Sequence, residues 1–401
     1  MSINSRIGTA SAYASAVQNL SDRQNGLVTL QQNMTSGKKI NRASDDPTGA
    51  AQAERATTRI SRIAADQRLL ASQRDTIATA ESTLGSTVDA LQSFRELVVS
   101  AGSGTLTPTD RASIAQQLTS LRDEIFANSN KADSNGTPLF SGLGSASTPF
   151  TNTQTVNFEG LSGQRVGGSV TVSPTLDGQA AFMNVPTGNG NFSVATGSGN
   201  IGMLSADAGT VTSLSALTGH HYSIAFAVDA ATGAKSYTVT DTTAGTTAAT
   251  GAYKDGGAVA FDGLSITLKG SPLAGDTVAV APSTRSDLFG TLDRAIADIK
   301  GATSNSGALP TQIAQALSQI DSGMARVQSA RSLAGDILNQ ADRIKDGQDT
   351  RSDQLTAERS SAEDLDMIKA YSDFSSQQTG YQAALSSYAQ IQKLSLFSYI
   401  S

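Results

Sequence analysis

Cysteine is absent from all 401 residues, which removes disulfides, thiolate nucleophiles and cysteine-ligated zinc together. Tryptophan is absent as well, and aromatic residues make up only 5% of the chain. With 38% hydrophobic residues and Ala, Ser, Thr, Gln and Gly filling much of the rest, thin close-packed helix interfaces are expected in place of a bulky core. The length still allows two or three domains of ordinary size. Basic runs are missing: none is longer than Lys38-Lys39, and the net charge is -6. That excludes the clustered cationic surface a nucleic-acid partner requires. Long apolar runs are missing too, so no segment reads as a membrane span, and Met1-Ser2-Ile3-Asn4 lacks the charged and apolar regions of a cleavable signal. By these signals alone the chain is expected to be soluble and unsecreted.

The residues that are present fall into a helix, strand, helix order. Ile3, Ile7, Ala10, Ala14 and Val17 recur at steps of three and four, with Tyr13, Val17, Leu20, Leu27 and Met34 as an adjacent stripe, which predicts an amphipathic helix. It should stop at Ser36-Gly37, where glycine supplies a left-handed residue. A second helix should open after Ser44-Asp45-Asp46-Pro47, with Asp46 as N-cap and Pro47 in the first turn. Its seam runs Ile60, Ile63, Leu70, Ile77, Leu84, Val88, Leu91 and Val98, with Gln67, Arg74, Glu81 and Arg95 at intervening points. Such a length predicts a coiled coil or rod. Thr107 with Asp110 forms a capping box for a third helix buried through Ile114, Leu118, Leu121 and Ile125, and Asn135-Gly136 then turns the chain.

The return half carries Ile313, Leu317, Ile320, Met324, Val327, Ala334, Leu338 and Ala341 with the same period, so it can lie antiparallel to the second helix. Ser360-Ser361-Ala362-Glu363 reads as a capping box that opens a last helix, with its seam at Ile368, Tyr371, Phe374, Gln378, Tyr381, Leu385, Tyr388, Ile391 and Leu394. In between, 155–158, 169–172, 222–228, 236–240, 264–268 and 277–280 read as strands bounded by turn residues. The Gly/Ser/Thr/Asn-rich stretch 186–218 reads as loops. The fold class expected is therefore α+β: a long antiparallel α-helical coiled-coil or bundle rod formed by both chain ends, with an inserted antiparallel β-rich domain.

Candidate chemistry is sparse. His220-His221 would point to opposite faces of a strand and so not share a metal ion. Asp45-Asp46 and Asp364 with Asp366 lack the spacing of a cation loop and fit caps or solvated surface. Gly188-Asn189-Gly190 and Gly197-Ser198-Gly199 lack the Lys-Ser/Thr and the helix start of a phosphate loop, and read as flexible loops. No nucleophile elbow or Ser/His/Asp set emerges, so no catalytic, metal or cofactor site is expected.

Four stretches resemble a known family. Ser36-Gly37-Lys38-Lys39-Ile40-Asn41-Arg42-Ala43-Ser44-Asp45-Asp46-Pro47 resembles the loop after the first helix in the flagellin superfamily, with the Ser-Asp-Asp-Pro ending typical of its hook-associated protein 3 family. Gln377-Gln378-Thr379 and Gln390 through Ile400 are close to that family's terminal helix. Gly136-Thr137-Pro138-Leu139-Phe140-Ser141-Gly142 and Asp262-Gly263-Leu264 through Gly275-Asp276 resemble its passages into and out of the β domain. Pro138, where an aromatic is usual, and Ser401, which extends the usual ending, depart from the pattern.

The resemblance implies a non-enzymatic component of the bacterial flagellum at the hook-filament junction. Such a protein is exported unfolded by the flagellar type III apparatus, without a cleavable signal, and assembles at the distal end of the hook. Implied partners are further copies of itself, hook and other hook-associated proteins, and an export chaperone; nucleic acid and membrane insertion are not implied. On this reading 1–36 and 364–401 are terminal assembly helices, 37–145 and 285–363 a helical rod, and 146–284 an outer β-rich domain. The assembly interface would comprise Ile3, Ile7, Val17, Leu20, Leu27, Tyr371, Phe374, Tyr381, Leu385, Tyr388, Ile391 and Leu394, with Asp46, Thr107 and Ser360 as helix caps. A flagellin-type filament subunit, a coiled-coil type III secreted effector or adhesin, and an enzyme carried by the β domain stand as alternatives.

Overall fold

Periodicity and caps place most helix boundaries where the chain has them. A computed structural model describes residues 9–152, 155–302 and 307–400, with side chains for residue 11 and, within those spans, for residues 13–390. Six α-helices lie among the described residues: α1 (Thr9–Ser36), α2 (Pro47–Ala101), α3 (Pro108–Ser129), α4 (Leu288–Gly301), α5 (Leu309–Glu363) and α6 (Met367–Ile400). Between α3 and α4 run β1 (Phe150–Asn152), β2 (Val156–Phe158), β3 (Val185–Pro186), β4 (Phe192–Thr196), β5 (Met203–Ala206) and β6 (Thr210–Val211). They are followed by β7 (Tyr222–Val228), β8 (Lys235–Asp241), β9 (Thr246–Ala252), β10 (Gly257–Phe261), β11 (Leu264–Ser271), β12 (Thr277–Pro282) and β13 (Arg285–Ser286). The chain is thus α+β, with helical ends around an antiparallel insertion. It divides into two compact units, Met1–Arg68 with Lys345–Ser401, and Leu69–Ile344.

In the second unit α2 buries Leu70, Ile77, Leu84, Leu91 and Val98, one residue in every seven, and α5 answers with Ile313, Ile320, Val327, Ala334 and Ala341 at the same interval. A strict seven-residue repeat keeps one seam facing one partner. Polar pairs fix the register: Arg74 Nε lies 2.9 Å from Asp342 Oδ1, Arg331 Nε 2.7 Å from Glu81 Oε1, and Arg95 Nε 2.7 Å from Asp321 Oδ1. The numbers rise on α2 as they fall on α5, so the helices are antiparallel. Each pair is half-exposed and worth only about 0.2–1 kcal/mol. Their regular spacing selects one register over a slip by a turn.

Thr107 caps α3 as expected. Its hydroxyl accepts the Asp110 N–H at 3.2 Å and the Asp110 carboxylate accepts the Thr107 N–H at 3.0 Å. α4 is a helix the sequence reading did not separate. Asp287 caps it by accepting the Gly290 N–H at 2.6 Å, and Leu288, Leu292, Ala295 and Ile299 face inward. It packs on α3, where Arg122 grips both carboxylate oxygens of Asp293 at 2.8 and 3.0 Å beneath Phe126 and Phe289. The expectation of a core without bulk needs correction here. Seven of the 12 phenylalanines, Phe94, Phe126, Phe140, Phe150, Phe158, Phe182 and Phe289, meet in this one core.

Those aromatics show that residues 139–185 pack with the helices, while a separate apolar core begins at Phe192 and ends at Val280. That second core lies between a five-stranded sheet, β4-β12-β7-β8-β9, and a smaller one in which β11 pairs with β10, β5 and β6. Alternation sets the facing residues: Tyr222, Ile224 and Phe226 are buried while Ala225 and Ala227 are exposed. The two-residue hairpin Asp262-Gly263 joins β10 to β11, and both residues take positive φ, 41° and 77°. Asp276, 1% exposed, accepts backbone N–H groups of Ile201, Gly202 and Leu273, which ties the start of β5 to the turn before β12.

Several expectations fail within the insertion. Ser169–Val172 forms no strand; it is a connector whose Val172 N–H is taken by the Gln73 side chain at 3.0 Å, so no ladder partner is needed. The stretch 186–218 is not loop throughout, since β4 and β5 in it bury Phe192, Val194, Leu204 and Ala206. Gly188-Asn189-Gly190 is a fixed turn in which Asn189 Oδ1 accepts the N–H groups of Asn191 and Phe192. His220 and His221 precede β7 rather than sit on it, and His220 Nδ1 lies 2.6 Å from Asp241 Oδ2.

Candidate assembly interface

The first unit is organised by one short loop. Gly37, at φ 70°, ends α1, and the chain then runs alongside the break between α5 and α6. The Lys39 N–H donates to Glu363 O at 2.8 Å, the Leu365 N–H to Gly37 O at 2.9 Å, and Lys39 Nζ to Ser361 O at 2.7 Å. Lys38 Nζ adds an ion pair to Glu363 at 3.2 Å. A cleft of about 260 Å3 opens beside this seam, with Lys38, Arg42, Glu54 and Glu363 among its lining residues.

The adjacent aspartates divide the local work. Asp45 Oδ2 closes the loop backwards by accepting the N–H groups of Asn41 at 3.1 Å and Arg42 at 2.8 Å. Asp46 Oδ1 caps α2 forwards by accepting those of Thr48 and Gly49, each at 3.0 Å. The Thr48 hydroxyl and the Gly49 N–H hold the Asp46 carboxyl below its ordinary range. Gly49 is constrained sterically: a Cβ there would stand 2.6 Å from Ile40 Cδ1 and 2.6 Å from Asp46 Oδ2.

Ser360 is not a cap, contrary to the sequence reading. α5 continues through it to Glu363, and its hydroxyl donates to Asp364 one turn on. The N-cap of α6 is Asp366, whose Oδ1 accepts the N–H groups of Ile368 and Lys369, each at 3.1 Å. The Ser-x-x-Glu pattern misled because a serine within a helix can spend its hydroxyl on its own next turn.

α1 and α6 pair antiparallel. Tyr13 meets Tyr388 with ring centroids 5.6 Å apart and hydroxyls 2.8 Å apart, while Gln377 lies over Gly26 and Arg23 over Gly380. The interface residues named from the sequence separate into two sets. Leu20, Leu27, Phe374, Tyr381 and Tyr388 are half-buried, and Phe374, Tyr381 and Tyr388 follow one another at seven-residue steps. Val17, Tyr371 and Leu385 are exposed, Tyr371 to 67%, and share that exposure with Tyr13, Val28, Met367 and Ile368, the last at 86%. Ile3 and Ile7 lie outside the described residues, and so do the side chains of Ile391 and Leu394. Missed altogether were Val28 and Met367, which fall off the apolar stripes the sequence suggests for their helices. Among the described residues no three His, Asp or Glu side chains are grouped to hold a metal, and no helix is long and apolar enough to cross a membrane.

Comparison with known proteins bears on both ends. The bacterial flagellin N-terminal helical region matches residues 7–145, and the bacterial flagellin C-terminal helical region matches residues 317–400. Flagellar hook-associated protein 3 of Salmonella typhimurium is 34% identical over 148 residues, 36% of this chain and 46% of that protein. A flagellin of Bacillus subtilis is 34% identical over 139 residues, 34% of this chain and 46% of the flagellin. The chain therefore spans about half the length of these curated relatives. The crystal structure of the flagellar junction protein FlgL from Legionella pneumophila superposes with a TM-score of 0.67 at 28% identity, over 72% of this chain and 99% of that one. With both flagellin end regions in order and joined through an insertion, the chain belongs to the flagellin superfamily.

Proposed function

We propose that the chain is a structural subunit of the bacterial flagellum that joins hook to filament. The observation that carries this reading is the α1–α6 pair, with apolar side chains on the outside of a helix pair made from both chain ends. Tyr371, Ile368, Leu385, Val17 and Val28 expose apolar surface that two helices cannot cover by themselves. Neighbouring subunits would cover it, and Ile3, Ile7, Val17, Leu20, Leu27, Tyr371, Phe374, Tyr381, Leu385, Tyr388, Ile391 and Leu394 are the residues assigned to that contact. The protein acts by assembly and not by catalysis, at the distal end of the hook, after export through the flagellar type III route with a chaperone. Deleting the gene should leave hooks in place while flagellin escapes as monomer into the medium; intact filaments in the deletion strain would overturn the assignment.

The likeness to flagellins favours a second reading, a subunit of the filament itself. Seeding separates the two. A filament subunit elongates fragments without limit, whereas a junction subunit adds a bounded layer and stops.

A further inference from the structure

The first unit also contains the start of α2 and the end of α5, and their outer flanks carry opposite charge in matched spacing. On α2, Ala53 and Ala56 are buried and Ile60, Ile63 and Gln67 half-buried, which marks the seam towards α5. Arg55, Arg59 and Arg62 are all exposed, follow at steps of four and three, and have no ion pair among the described residues. On α5, buried Gln348 and Leu355 mark the seam, and Asp353, Asp349 and Asp346 also follow at steps of four and three. Asp346 and Asp353 are exposed and without an ion pair among the described residues, whereas Asp349 is held by Gln67 and Lys345 of its own copy, each at 2.7 Å.

The contact between Gln67 and Asp349 tells which flanks share a side. At about 100° per residue, Gln67 lies to one side of Ile63 while Arg59 and Arg62 lie to the other. The aspartates are on the Gln67 side, so the arginines occupy the opposite side of the helix pair. Asp66 and Glu358 dilute the arginine side, which Arg351 reinforces; Arg68 and Lys345 dilute the aspartate side, which Glu54 reinforces.

We propose that this part of the chain is a lateral self-association surface, in which the arginine flank of one copy meets the aspartate flank of the next. Copies standing side by side in one direction place α2 of one antiparallel to α5 of its neighbour. Inside one copy Gln67 is level with Asp349 and Arg74 with Asp342. A neighbour displaced along the axis by eight residues, about 12 Å, therefore brings Asp353, Asp349 and Asp346 against Arg55, Arg59 and Arg62, matched in sign and in step. Arg55 to Arg62 and Asp353 to Asp346 each span two turns, about 10.5 Å. Because the two patches differ and lie on opposite sides, the contact is heterologous, and with its axial step it propagates along a helix instead of closing as a dimer. Exposed pairs are individually weak and screened by salt, so they choose neighbour and register more than they supply affinity. The proposal rests on the flagellar reading and names its lateral contact.

Charge reversal tests it in cells carrying only the variant chain. Arg55→Glu/Arg62→Glu and Asp346→Lys/Asp353→Lys should each shrink the swimming halo several-fold, and the four substitutions combined should restore most of it. Undiminished swimming of either reversed pair overturns the proposal, as does failure of the combined variant when its purified chain keeps wild-type helicity by circular dichroism. A second readout does not depend on how the reversed chains fold. Since the protein has no cysteine, Arg62→Cys/Asp346→Cys in isolated flagella should give a ladder of multimers with a short bis-maleimide, and monomer alone overturns the contact. If deleting the gene leaves swimming untouched, it is the flagellar reading that fails, independently of the charge pairing.

Discussion

Asp45 and Asp46 are neighbouring carboxylates with opposite duties, one closing the loop behind it and the other capping the helix ahead. Asp46 is held below its unfolded value, near 3.8, so its contribution is present above that pH and is lost as pH falls through the lower folded value. Protection of the Thr48 and Gly49 amides, taken relative to their intrinsic exchange rates, should therefore fall in that acid range, and Asp46→Ala should show the reduced protection already at pH 7. Asp298 behaves in the opposite sense. Burial raises its carboxyl despite Arg294, so its relative stabilisation holds below the unfolded value and is lost as pH rises through the folded one. Asp298→Asn should accordingly be at least as stable as the parent at pH 7 in urea titration, with the gain vanishing in acid. Asp46 and Thr107 were legible as caps in the sequence because capping depends on residues within one turn. Ser360 was not, since the same four letters serve a cap or a helix interior. Only the path of the chain at Asp364–Asp366 separates these.

At the scale of elements, α2 and α5 hold together through apolar residues at seven-residue intervals, and the ion pairs between them set register. Leu84, fully buried, should cost about 3 kcal/mol when changed to alanine, as large-to-small core substitutions do. Arg95→Ala, which breaks a half-exposed pair with Asp321, should cost less than about 1 kcal/mol. Chemical denaturation followed by far-ultraviolet circular dichroism distinguishes the two. The long helices were readable because one seam faces one partner over many turns. The strands were read less completely. β7, β8, β11 and β12 alternate clearly, whereas β9, Thr246–Ala252, is built of Thr, Ala and Gly and has no apolar face to reveal it. α4 carries Leu288, Leu292, Ala295 and Ile299 at helical spacing, but at 14 residues nothing in its pattern separates it from the general helicity of the return half.

At the scale of the molecule, the two ends differ from the middle in how much they bury. α1 and α6 form a pair with most side chains exposed, while α2 and α5 in the second unit share a core with α3, α4 and seven phenylalanines. Isolated helix pairs are marginal in water. Hydrogen exchange on the free chain should be fast over residues 9–36 and 367–400 and slow at Ile77, Leu84 and Leu91; protection in both terminal segments would contradict assembly-coupled ordering. The insertion makes a separate prediction. β3 and β13 pair at its neck, and the Thr187 N–H donates to Thr284 O at 2.9 Å, so the ends to be joined after excision are already adjacent. Replacing residues 188–283 by a short turn should reduce swimming less than removing either terminal helix.

The sequence by itself determined the order helix, strand, helix, the helix starts at Asp46 and Thr107, and the family, because caps, seven-residue seams and the Ser44–Pro47 motif are written in neighbouring residues. Which apolar residues of the terminal helices are spent within the chain was decided only by the tertiary structure. Val17 and Leu20 are three residues apart on one stripe, yet Val17 is exposed and Leu20 half-buried. Their helical spacing is identical in kind. Burial depends on where α6 lies, and that is fixed by the loop stitched between Gly37 and Leu365, more than 300 residues apart in the chain.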